Sequence, residues 1–248
     1  MQRYFSKIKE DNNFVLGSDD LYHIKTVMRM HEGENVEVVY NHEVYLCCIQ
    51  YVNNDINVSI VEKRKNEIIK EPFVSLIIPF LHEQKMDLIL QKATELGVNE
   101  IILTDFERSV VKLDNKKKES KLIRWEKILK EASEQSMRVD IPTIKIISKE
   151  DVFKLDGLKI VCSTSEKKNN IKNVLKKNPN CAKILIVIGP EGGISSKEEE
   201  EYQKYGFIKT SLGPQILRVE TVPFFILSNI RYEYMEWFYG WILQFDYW

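Results

Sequence analysis

Hydrophobic and polar positions alternate over the first third of the chain. Val36–Tyr40, Val44–Val52 and Ile56–Val61 are short runs rich in β-branched and aromatic residues, separated by Asn41-His42 and Asn53-Asn54-Asp55. Such runs read as strands and such separators as hairpin turns. Strands spaced this closely predict a small antiparallel barrel. Leu21, Ile24, Val27 and Met28 recur at helical spacing and predict one short helix near Asp20–Met30.

The pattern changes after the charged stretch Glu62–Glu71, which reads as a linker closed by Pro72. Phe73–Phe80 is continuously apolar, the mark of a strand buried on both faces. Glu83–Leu96 is helical, with Met86, Ile89, Leu90 and Ala93 on one face and Gly97 as its stop. A helix over Glu119–Met137 carries Leu122, Trp125, Leu129 and Ala132 inward. Ile101–Leu103, Ile144–Ile147, Ile160–Ser163, Lys183–Gly189 and Ile208–Leu212 read as strands. Alternating strands and helices predict an α/β domain with a parallel sheet over 71–248, after a β domain over 1–70.

Composition narrows the class. Apolar residues make up 44% of the 248 and charged residues 29%, an ordinary globular balance. No apolar run approaches the roughly 20 residues of a membrane span, and the start, Met1-Gln2-Arg3-Tyr4-Phe5, lacks a signal-peptide core. A cytoplasmic protein without membrane contact is therefore expected. Cys47, Cys48, Cys162 and Cys181 have no zinc-ligand spacing and read as buried free thiols, and the four histidines are scattered, so no metal site is expected. The net charge of −1 gives no argument for nucleic acid, but Lys112–Lys130 holds eight basic residues. That stretch is either a solvated helix face or an RNA footprint.

The chemistry concentrates late in the chain. The strand ending at Gly189 runs into Pro190-Glu191-Gly192-Gly193, and Ser195 with Glu198 spells a capping box. A strand, a glycine turn and a helix start form a ligand site at the carboxyl edge of a sheet. No Lys-Ser/Thr follows the glycines and there is no GxGxxG, so neither a P-loop nor a dinucleotide fingerprint fits. The run Glu198–Glu201 reads as negative charge suited to the helix dipole. A second loop, Leu212 to Thr221, contains Gly213 and ends another strand; Thr221 reads as an N-cap, with Pro223 in the first turn. Two neighbouring glycine-bearing loops predict a pocket.

Gly189-Pro190-Glu191-Gly192-Gly193 and Leu212-Gly213-x-x-Ile216-Leu217-Arg218-x-Glu220-Thr221 resemble the signature of the bacterial 16S rRNA uracil-N3 methyltransferases, the RsmE family of the SPOUT superfamily. Upstream, Gln91 to Val98 with Arg108-Ser109 is similar to the family's first motif. Glu131-Ala132-Ser133-Glu134-Gln135-Ser136-x-Arg138, with Pro142 after it, is similar to its second. Arg3-Tyr4-Phe5 and Arg29 fit as well, so the likeness spans about residues 1 to 230. Two features depart from the pattern: Val222-Pro223-Phe224-Phe225 follow Thr221, and Gln215 stands where an arginine is frequent.

The resemblance implies a PUA-like barrel followed by a SPOUT α/β domain with a trefoil knot. It implies S-adenosylmethionine as cofactor and a homodimer with each site at the subunit interface. The implied substrate is a uridine in helix 44 of 16S rRNA, in the small ribosomal subunit, methylated at N3. A ribose 2′-O-methyltransferase or a non-catalytic assembly factor of the same fold remains the alternative. Uracil N3 must lose its proton before it becomes a good nucleophile, and a guanidinium stabilises the resulting anion well. Arg138, four residues after Glu134 on what reads as the same helix, is the candidate for that role, with a surface pair to Glu134 as the competing one. Glu191 is the candidate base, and its alternative is loop packing or a dimer contact.

For cofactor binding the resemblance points to Ile188, Gly189, Pro190, Gly193, Leu212, Gly213, Ile216, Leu217 and Thr221, with Thr164 as a third wall. Arg218 holds the cofactor carboxylate or an RNA phosphate, unless a bridge to Glu220 claims it. Gly193→Val is expected to fill the cofactor's space. Arg3, Arg29, Arg108, Ser109 and Lys112 are the expected RNA contacts. Nine of the last 18 residues are aromatic, among them Trp237, Trp241 and Trp248, which reads as dimer or core packing or as an atypical tail.

Overall fold

The computed structural model describes residues 1–52, 55–65 and 71–234. The centre of the expected linker and the aromatic tail beyond Tyr234 lie outside the described residues. The chain divides into two compact units, Met1–Glu67 with Arg124–Pro142, and Ile68–Ile123 with Thr143–Trp248. The pattern of hydrophobic positions assigns 124–142 to the second domain. These residues fall with the first unit, where Lys127 and Lys130 pair with Asp19 and Asp20, Glu134 accepts the Phe5 N–H, and Arg3 donates to the carbonyls of Met137 and Arg138.

The first unit is built on β1 (Arg3–Phe5), β2 (Ile8–Glu10), β3 (Asn13–Val15), β4 (Asn35–Tyr40), β5 (Glu43–Val52) and β6 (Asp55–Lys63). Its six-stranded sheet has the order β1-β4-β5-β6-β3-β2. The two edge strands, β1 and β2, are joined by only Ser6 and Lys7, so the sheet must curl until its edges approach, which is a barrel. Ser6 makes the corner: its N–H donates to the Val39 carbonyl and its hydroxyl donates to Val15. Alternate residues point inward, and Tyr4, Phe14, Val36, Val38, Cys47, Ile49 and Val58 form one buried cluster. The expected short helix is α1 (Ser18–Tyr22), continued by a π-helical turn at His23–Val27. Of the four free cysteines only Cys47 is buried; the other three are half-buried.

The second unit contains β7 (Phe73–Ile78), α2 (Glu83–Glu95), β8 (Glu100–Leu103), α3 (Asn115–Gln135, which runs on into the first unit), β9 (Thr143–Ile146), α4 (Lys149–Phe153) and β10 (Leu158–Cys162). There follow α5 (Ile171–Lys176), β11 (Lys183–Val187), α6 (Ser196–Lys204), β12 (Ile208–Thr210) and α7 (Thr221–Tyr234). All six strands are parallel, in the order β12-β10-β11-β7-β8-β9. Ile184 to Val187 and Leu76 to Ile78 are fully buried, as expected of central parallel strands covered on both faces. No helix among the described residues is long and apolar enough to cross a membrane.

α3 ends earlier than the pattern predicts. Met137 adopts a left-handed φ of 56°. Arg138 N–H then donates to Ser133 and Met137 N–H to Glu134, the two bonds of a Schellman cap. Arg138 therefore lies beyond the helix and does not share a face with Glu134. α7 begins at Thr221 itself, so Thr221 is its first helical residue, not the cap before it.

Candidate active site

Strand order fixes where a site can form. β12, β10, β11 and β7 are neighbours in the sheet, and the segments leaving their carboxyl ends converge on one cavity of about 560 Å³. Cavities of this size hold cofactor-sized ligands. Ser163, Thr164 and Lys167 come from the segment after β10, and Ile188 to Glu191, Gly193 and Ile194 from that after β11. Leu212 to Glu220 come from the loop after β12, and Lys85 from the first turn of α2.

Each expected cofactor residue but one lines this cavity: Thr164, Ile188, Gly189, Pro190, Gly193, Leu212, Gly213, Ile216, Leu217 and Arg218. Thr221 does not. Glu191 lines it too. Ile188 is buried, whereas Ile216 is 81% exposed at the rim. Gly189 has no room for a side chain, because a Cβ would come within 2.5 Å of Ile194 Cγ1. Gly193 is a glycine for a different reason: its φ is +72°, and a Cβ there would meet only open space. The capping box at the head of α6 is present as predicted, and Ser195 also donates to Glu107 Oε2 at 2.6 Å. Arg108 Nη1 donates to the Gly192 carbonyl, which ties the first motif to the glycine loop.

Charge in the cavity is arranged in two groups. Lys85 Nζ donates to Glu191 Oε1 at 2.8 Å and lies 3.9 Å from Glu220 Oε2. Burial pushes the Glu191 carboxyl up, but Lys85 outweighs it and holds the group below the usual carboxylate range. The bond to Glu191 raises the Lys85 ammonium in turn. Across the cavity, Glu199 is buried and receives Ser163 Oγ at 2.5 Å, Ser165 Oγ at 3.2 Å and Lys209 Nζ at 2.5 Å. Sequence reasoning missed Lys85 and Glu199. The run Glu198–Glu201 is more than a dipole partner: Glu198 closes the capping box and accepts the Glu107 N–H, Glu199 lines the cavity, and Glu201 pairs with Lys149. Glu199 is the fourth residue of α6, and its partners follow β10 or lie in β12, so no local signal marked it.

The remaining candidates lie elsewhere. Arg138 belongs to the first unit, where its Nη2 donates to Asp140 Oδ2 at 2.9 Å. Glu134 pairs with Lys130, so the competing reading of Arg138, a pair with Glu134, is replaced on both sides. Arg3 is engaged by Glu37 at 2.7 Å and by the carbonyls of Met137 and Arg138, which gives it a structural task. Ser109 is buried and accepts the Phe106 N–H. Arg29 is exposed in a left-handed conformation, and Lys112 is exposed. Within the basic stretch, Lys117 pairs with Asp114, Lys127 with Asp19 and Lys130 with Asp20, so at least three of its eight cations have acidic partners.

A curled PUA-type sheet, with a parallel sheet whose carboxyl edge carries a glycine-walled cavity, is the build of an RNA methyltransferase. The family models agree: residues 16–63 match the RNA methyltransferase PUA domain and 70–231 the RNA methyltransferase domain. The chain is 34% identical to the ribosomal RNA small subunit methyltransferase E of Bacillus subtilis, over 94% of this chain and 97% of that one. It is 36% identical to the corresponding protein of Mesomycoplasma hyopneumoniae, over 92% and 98%. A Legionella pneumophila structure in complex with the cofactor SAM superimposes with a TM-score of 0.82 at 26% identity, covering 93% of this chain and 96% of that one. The chain belongs to the ribosomal RNA small subunit methyltransferase E family.

Proposed function

We propose that this chain transfers a methyl group from S-adenosylmethionine to N3 of one uridine in helix 44 of 16S rRNA, working in the cytoplasm as a homodimer on the small ribosomal subunit. The observation that carries this reading is the cavity at the ends of β12, β10 and β11, in a chain whose relatives are named ribosomal RNA small subunit methyltransferase E. Its residues fit the cofactor: Ile188, Leu212 and Leu217 offer apolar walls to an adenine, and the Gly189 and Gly193 backbone admits close approach. Carboxylates suit the sulfonium and ammonium charges, and Arg218 suits the carboxylate.

When bound, the cofactor would supply an electrophilic methyl on a cationic sulfur. This chain's residues must then handle a proton and a negative charge. Glu191 takes the N3 proton: the N–H bond breaks, an O–H bond forms, and the electron pair stays on N3. Arg138, bonded to Asp140 and not lining this chain's cavity, is the candidate to stabilise that anion with its forked donors. Arg29, Arg108 and Lys112 contact RNA phosphates. Residues 1–70 form the RNA-binding domain and 71–248 the catalytic one, with the trefoil knot that the family likeness implies. Incubation with unmodified small subunits and cofactor, followed by mass mapping of the rRNA, tests this. A methyl on the base of a single uridine at N3 is expected; a methyl on a ribose, or none, overturns it.

A further inference from the structure

The Lys85–Glu191–Glu220 group contains a mismatch. Lys85 has one ammonium and two carboxylates within reach, bonded to Glu191 Oε1 at 2.8 Å and short of Glu220 Oε2 at 3.9 Å. That Glu220 oxygen is buried and accepts no hydrogen bond among the described residues. A buried carboxylate oxygen without a donor is unfavourable. Glu220 is also the less exposed acid, its side chain 17% exposed against 31% for Glu191. A displacement of the ammonium by about an ångström, well within the freedom of a four-carbon stem, would satisfy Glu220 and release Glu191.

We propose that Lys85 is a positioning residue that moves between Glu191 and Glu220, and that its move to Glu220 frees Glu191 to take the N3 proton. The inference rests on Glu191 being the base. While Lys85 is bonded to Glu191, the ammonium stabilises the anion and opposes proton uptake. With Lys85 on Glu220, Glu191 loses that direct hydrogen bond, and the ammonium acts on it through its charge alone. Arg218 also acts on Lys85, its charge opposing the ammonium's. The arrangement would keep Glu191 ionised and ready while the site is empty, and make it basic when the lysine leaves. The proton moves from N3 to a Glu191 oxygen and nothing is oxidised or reduced.

The test pairs a titration with a rate. The Glu191 carboxyl, labelled with ¹³C and assigned with Glu191→Gln, is titrated by NMR in the cofactor-free chain. Lys85→Met should move its midpoint to higher pH and Lys85→Arg should leave it near the wild-type value. Single-turnover methylation of unmodified small subunits should follow: Lys85→Met shifts the acid limb of the pH profile upward by the same amount. Glu220→Gln, which holds Lys85 on Glu191, should slow the step at least tenfold at saturating cofactor. An unmoved titration and acid limb in Lys85→Met, or a wild-type rate in Glu220→Gln, overturns the proposal. Should Lys85→Met fail to fold, Glu220→Gln and Lys85→Arg decide it. Full turnover by Glu191→Gln would instead remove the base, and the lysine's catalytic role with it, whatever the other variants do.

Discussion

Glu134 projects from the last turn of α3 into the first unit, beside Lys130, Asp20 and Tyr4. Burial raises its carboxyl to about 7, against the pull of Lys130 and the Phe5 N–H and with a further push from Asp20. The unfolded chain loses this proton at ordinary carboxylate pH, whereas the folded chain holds it to about 7. Between those values the folded state binds more protons, so stability falls as pH rises. The contribution is at most about 3 kcal/mol. Glu134→Gln should therefore gain melting temperature relative to the wild type between pH 5 and pH 8, as differential scanning calorimetry would record; a constant difference would refute the assignment. The sequence made this residue visible through its motif but not its environment. Arg138 illustrates the same limit. Its spacing from Glu134 looked helical, and only the left-handed Met137 between them redirects it to Asp140.

Elements were legible where periodicity is strong. β4, β5, β6, β7 and α2 fall within a few residues of the predicted runs, because a half-buried or fully buried strand and an amphipathic helix each impose a repeat on the sequence. The ends were less legible, since they depend on caps. The Ser195–Glu198 box is local and was readable; the end of α3 was not, because methionine occupies a position that favours glycine. A left-handed non-glycine residue costs roughly 1–2 kcal/mol. Met137→Gly should relieve that strain, offset in part by greater freedom in the unfolded chain, for a net gain of about 1 kcal/mol in urea denaturation. A loss of stability would mean that the Met137 side chain, 41% exposed, contributes more packing than its position suggests.

For the molecule as a whole, a net charge of −1 gave no sign of an RNA partner, and the basic stretch overstated its footprint. With Lys117, Lys127 and Lys130 each paired to an aspartate, fewer than its eight cations can exchange counterions with RNA. The logarithm of RNA affinity should fall with the logarithm of salt at about 0.7–0.9 per phosphate contact, giving a slope of about −3 to −5. A slope near zero would exclude electrostatic docking. The cavity was legible as two glycine loops, while Lys85 was not, because α2 is distant from them in sequence, nor was Glu199, because its partners Ser163 and Lys209 come from other strands. Everything proposed for this chain depends on that cavity holding the cofactor. Calorimetric titration of S-adenosylmethionine into the wild type and Gly189→Val, with circular dichroism to verify the fold, tests this most directly. One site per chain in the wild type, lost in a folded Gly189→Val, is the expected result; equal binding by both would contradict it.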